Sequence, residues 1–109
     1  MTDWLALANS KNTELFDLIE QLVMIETPTS DKPANDRIST VTADLLRSIG
    51  GDVTVHPQEK FGDHITADWL AGPDDATTQH ALIVGHLDTV WPLGTLKRMG
   101  YTEKAGRLY

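Results

Sequence analysis

The chain has no cysteine among its 109 residues. That excludes a disulfide framework and a thiolate zinc site, so any metal must be held by imidazole, carboxylate or water. No apolar run approaches the length of a membrane span. Positive charge is scarce: 9 Lys and Arg stand against 16 Asp and Glu, a net charge of −7. This balance argues against nucleic acid or an anionic membrane surface as partner. The first residues, Met1-Thr2-Asp3-Trp4-Leu5-Ala6-Leu7-Ala8, lack a basic region and a long apolar core. They do not read as a signal peptide, so the expected location is cytoplasmic. There is no internal repeat and no low-complexity tract. The remaining composition, 40% apolar and 23% charged, is that of an ordinary globular chain with room for one small domain.

The most informative stretch is Ala81-Leu82-Ile83-Val84-Gly85-His86-Leu87-Asp88-Thr89-Val90. An unbroken apolar run of this length reads as a strand buried on both faces. Gly85 lets the backbone change course or pass close to another group. His86 and Asp88 are two apart, so in an extended chain they point to the same side. A neutral imidazole is the commonest zinc ligand, and a nearby carboxylate fixes its tautomer and raises its basicity. His86 is therefore the candidate metal ligand and Asp88 the candidate orienting group. Sites in open α/β sheets form just outside the carboxyl ends of strands.

Upstream, Asn12 to Glu26 reads as an amphipathic helix, with Leu15, Leu18, Ile19, Leu22 and Ile25 at helical spacing and Phe16 and Val23 widening the stripe. Asn12 or Ser10 is the expected cap, and Thr27-Pro28 ends the helix. A second helix starts near Pro33 with Asp31 as cap, carries Ile38, Val41, Leu45 and Ile49, and stops at Gly50-Gly51. Three strands are expected after it: Asp52–His56, a half-exposed one through Ile65, Ala67 and Trp69, and the Ala81–Val84 run. Ala71–Asp75 reads as a turn-rich acidic loop, its Asp74-Asp75 pair solvated rather than calcium-binding. Trp91-Pro92-Leu93-Gly94 is a loop that either lines a substrate pocket or forms a rigid turn with an aromatic plug. Trp4 and Trp69 read as packing residues, and Thr102–Tyr109 as a short hairpin. His56, His64 and His80 match no usual zinc spacing; His56 and His80, at strand ends, are expected to face solvent, and His64 lies in a turn entering a strand.

The run GHLDTV after ALIV resembles the first metal-binding motif of the zinc aminoacylase/carboxypeptidase family of metallopeptidases. That family includes carboxypeptidase G, acetylornithine deacetylase, succinyl-diaminopimelate desuccinylase and the aminoacylases. The longer GHLDTVWPLGTL, Gly85 to Leu96, is most similar to the carboxypeptidase G branch. LFDLIEQLVMIETPTSD, Leu15 to Asp31, resembles the family's first helix and following loop, and LLRSIGGDVTVHP, Leu45 to Pro57, the end of its second helix and its first strand. The resemblance covers most of the chain, but only the GHLDTVWPLGTL motif is specific.

The resemblance implies an α/β fold: the amino-terminal part of a zinc-exopeptidase-like catalytic domain, two helices followed by three strands of a mixed sheet, occupying residues 1–109. It implies that His86 ligates one of two zinc ions, with cobalt or manganese as possible substitutes, and that Asp88 serves catalysis by orienting His86. The parent would hydrolyse amide bonds in small N-acyl amino acids or at peptide carboxyl termini, and would be a homodimer through an inserted domain not present here. The remaining ligands and the general base would lie beyond Tyr109, which makes this chain an inactive fragment. Two other readings stand beside it: a non-catalytic binding or assembly module, and a truncated product without a function of its own.

Overall fold

The computed structural model describes residues 1–70, 79 and 81–109. The acidic loop at Ala71–Asp75 and His80 lie outside the described residues. Helices and strands are both present, so the α/β character stands, and the chain divides into two compact units: Thr27–Trp91, and Met1–Glu26 with Pro92–Tyr109.

The first two helices, α1 (Trp4–Ser10) and α2 (Asn12–Val23), belong to the second of these units. Helix α1 was not foreseen. Asp3 caps it, its Oδ1 accepting from Ala6 N at 3.0 Å. Trp4 does not pack as expected; it is 71% exposed. The cap expected for α2 is also absent. Its N-cap is Lys11, without a side-chain hydrogen bond, and Ser10 Oγ instead donates back to Leu7 O at 2.7 Å. Helix α2 stops at Val23, before the Thr27-Pro28 pair that was to end it.

In the Thr27–Trp91 unit, α3 (Lys32–Ser48) follows the sequence closely. Asp31 Oδ1 accepts from Ala34 N at 2.8 Å, Pro33 sits in the first turn, and Gly50 takes the left-handed φ of 85° just past the end. Its inward face is small: Ala34, Ile38 and Ala43 are buried, with Asn35 and Ser39 between them. This face packs on an antiparallel pair, β1 (Asp52–His56) and β2 (His64–Asp68), whose half-buried residues are Val53, Ile65 and Ala67. The alternation read in the sequence holds in β2, whereas in β1 only Val53 turns inward and Val55 is 40% exposed. Trp69 lies just past β2, and its indole N–H donates to Ile49 O at 3.1 Å.

A polar joint fastens α3 to the β1–β2 connection. Lys32 Nζ reaches Asp36 at 2.9 Å and Asp63 at 2.7 Å, Asp63 N donates to Asp36 Oδ1 at 3.0 Å, and Ser39 Oγ donates to Asp63 O at 2.9 Å. The Lys32 ammonium and the Gln58 amide hold the Asp63 carboxyl below its ordinary range, while Asp63 and Asp36 raise Lys32. Gly62 passes against Asn35 so closely that any side chain there would strike Asn35 Cβ.

The expected third strand is not formed. Ala81 to Val84 belongs to no ladder, and Leu82, Ile83 and Val84 are 88%, 94% and 81% exposed. Nor is there one mixed sheet: the described strands form two separate antiparallel pairs. The physical reason is pairing. An apolar run becomes a buried strand only where neighbours supply a hydrogen-bonding edge and cover for its faces, and no described strand pairs with this one.

After residue 91, α4 (Leu96–Met99) and the hairpin β3 (Glu103–Lys104) and β4 (Arg107–Leu108) follow. Glu26 starts α4: its carboxylate accepts from Gly94 N at 2.7 Å and Leu96 N at 2.8 Å, and these two donors lower its pKa. The hairpin was expected. Its two-residue turn has positive φ at both Ala105 (52°) and Gly106 (70°), which matches the twist of short antiparallel pairs.

Candidate metal-binding site

The residues singled out in the sequence, His86 and Asp88, do come together, but not at the end of a paired strand. They are placed by a loop fixed to α3. Asn35, 5% exposed, donates its amide to Pro28 O at 2.8 Å and to Asp31 O at 2.9 Å. That fixes the Pro28–Asp31 turn, in which Asp31 N also donates to Pro28 O at 2.9 Å. Leu87–Thr89 then lies parallel beside residues 27–29 through a bridge between Pro28 and Thr89. Thr89 N donates to Thr27 O at 2.8 Å, Thr29 N donates to Thr89 O at 3.1 Å, and the buried Thr27 hydroxyl donates to Leu87 O at 2.8 Å.

On this base Asp88 divides its two carboxylate oxygens. Oδ2 accepts from the Thr29 hydroxyl at 2.6 Å, and Oδ1 faces His86 Nδ1 at 3.3 Å. The Thr29 donor is the main reason that the Asp88 carboxyl lies below its ordinary range, with His86 adding to it. His86 Nδ1 is closer still to the main-chain oxygen of Asp88, at 3.0 Å. A carbonyl oxygen only accepts, so Nδ1 carries a proton in this arrangement, and in the neutral ring the lone pair is then on Nε2. The side chain of His86 is 82% exposed. Gly85, expected to allow a close approach, has nothing within 4 Å of where a Cβ would sit.

Comparison with protein-family models, with curated proteins and with solved structures finds no match.

Chemically, an imidazole held in the Nδ1–H tautomer by a carboxylate and a carbonyl has the arrangement that a histidine metal ligand needs. It is one ligand. Among the described residues no group of three His, Asp or Glu side chains is near enough to hold an ion, and a four-coordinate site needs more donors than this. The other described histidines do not supply them. His56 and His64 are exposed and face each other across the β1–β2 pair, and His56 Nε2 lies 3.0 Å from Thr66 Oγ1. Trp91 is 56% exposed, so the aromatic plug is not formed among the described residues. No described helix is long and apolar enough to cross a membrane.

Sequence reasoning missed Thr27, Thr29 and Asn35. Two threonines flanking a proline after a helix read locally as a stop signal. Their partners lie about sixty residues away, and no local spacing announces that.

Proposed function

We propose that this chain contributes His86 as a zinc ligand, and Asp88 as the group that orients it, to a dinuclear zinc hydrolase of amide bonds. The observation that carries this reading is the sharing of His86 Nδ1 between the Asp88 carbonyl and carboxylate, which leaves Nε2 as the exposed basic atom. The reaction class rests on the resemblance of GHLDTVWPLGTL to the zinc aminoacylase/carboxypeptidase family. By that likeness the catalytic domain is zinc-exopeptidase-like, the protein a homodimer, and the substrate a small N-acyl amino acid or a peptide carboxyl terminus; the first residues, which do not read as a signal peptide, favour a cytoplasmic location.

The residues fit the metal as one ligand of a larger set. When bound, zinc supplies Lewis acidity and an acidified water. His86 binds, Asp88 holds the ring in the competent tautomer, and the Thr27–Thr29 segment holds Asp88. The other donors and the general base must come from residues outside this pair, so the 109-residue chain alone is expected to hold zinc weakly and to hydrolyse nothing. A binding or assembly module is the second reading, favoured by the exposed apolar run at Leu82–Val84.

The test uses the protein that carries this chain, with zinc measured by elemental analysis and turnover followed on N-acyl amino acids and folate-like glutamate conjugates. His86→Ala is expected to remove one metal equivalent and most of the turnover. Unchanged zinc content would sink the ligand assignment.

A further inference from the structure

We infer that Thr29 is a positioning residue for His86, acting through Asp88. The inference rests on the reading of His86 as a ligand. A threonine hydroxyl has one proton to donate. Two acceptors lie within reach of it: Asp88 Oδ2 at 2.6 Å and Thr89 O at 3.2 Å. The charged and nearer one takes it. That bond fixes the rotation of the Asp88 carboxylate and so keeps Oδ1 facing His86 Nδ1.

Thr29 is suited to this because its own backbone does not drift. Its N–H is tied to Thr89 O, and the carbonyl before it, Pro28 O, is held by the buried Asn35 of α3. The line of support runs from a helix, through an amide, to a hydroxyl, a carboxylate and then the imidazole. Without the hydroxyl, Asp88 is free to turn to solvent, and the ring keeps only the carbonyl at 3.0 Å. A free imidazole has no such restraint on which nitrogen carries the proton.

The experiment reads the tautomer of His86 directly, by long-range proton–nitrogen correlation NMR on the 109-residue chain at neutral pH. The wild type is expected to be mainly Nδ1–H. In Thr29→Val the ratio of Nδ1–H to Nε2–H should fall about fivefold, the weight of one charge-assisted hydrogen bond shared between two acceptors. Thr29→Ser, which keeps the hydroxyl, should restore it. Circular dichroism reports whether each variant is folded. A folded Thr29→Val with the wild-type ratio overturns the inference, as does a Thr29→Ser that behaves like valine. If Thr29→Val unfolds, the wild-type Thr29 hydroxyl proton decides: a slowly exchanging signal supports the bond, and its absence overturns it. Zinc analysis of the protein that carries this chain separates this from the function. A tautomer shift in Thr29→Val, with unchanged zinc content in His86→Ala, keeps Thr29 and removes the metal. Zinc lost in His86→Ala with an unmoved tautomer in Thr29→Val does the reverse.

Discussion

Two stretches three residues apart behave oppositely. Ala81–Val84 has the strongest strand signature in the chain, yet Leu82 to Val84 are exposed and unpaired. Leu87–Thr89 is mixed in polarity, yet it is held by a bridge and by hydrogen bonds from Thr27 and Thr29. The difference lies in partners rather than in hydropathy. The apolar run gains from burial only where a second surface exists. The polar run carries donors and acceptors that residues 27–29 answer one by one, and Asn35 ties those residues to α3.

Gly62→Ala tests the base of the held region and has the largest expected effect. Its Cβ would strike Asn35, the residue that anchors Pro28. A loss of about 3 kcal/mol is expected from overpacking at this joint, read as a lowered denaturant midpoint. Thr27→Val comes next. It keeps the shape of a residue only 1% exposed but removes the bond to Leu87 O, and about 1–2 kcal/mol should be lost. An equal loss from Val84→Thr would break the comparison.

Acid should loosen the same unit more gently. Asp63 has a folded pKa below its ordinary 3.8, because Lys32 and the Gln58 amide favour its charged form. Its contribution is therefore present above about pH 4 and is lost as pH falls through the lower folded value. Lys32 is raised above 10.5, so its share persists up to that pH and is lost above it. Melting temperatures across a pH series should fall at both ends, and replacing Lys32 with Met should flatten both limbs. The smallest effects belong to the free run. Val84→Thr and Gly85→Ala should stay within about 0.5 kcal/mol of the parent, since Val84 is exposed and Gly85 has open space around it.

What the sequence shows well is local. The cap–proline–glycine punctuation of α3, the alternation of β2, and the hairpin at 103–108 are each set by residues within a few positions of one another. The pairing of His86 with Asp88 is equally local, which is why it was legible. The misses are of two kinds. Helices α1 and α4 are too short for a periodic stripe. Residues 81–84 and the Thr27–Thr29 contacts depend on distant partners. In one case an unbroken apolar run promised a partner that the described residues do not provide, and in the other the local pattern gave no hint of one that they do.

The contact between Thr27 and Leu87 spans 60 residues. Closing so long a loop costs on the order of 3–4 kcal/mol of chain entropy, and the few bonds that close it are repaid only once α3 and the β1–β2 pair have formed. His86 should therefore acquire its fixed tautomer last in folding and lose it first in partial opening. In hydrogen exchange, the amides of Thr29 and Thr89 should open well before those of β1 and β2.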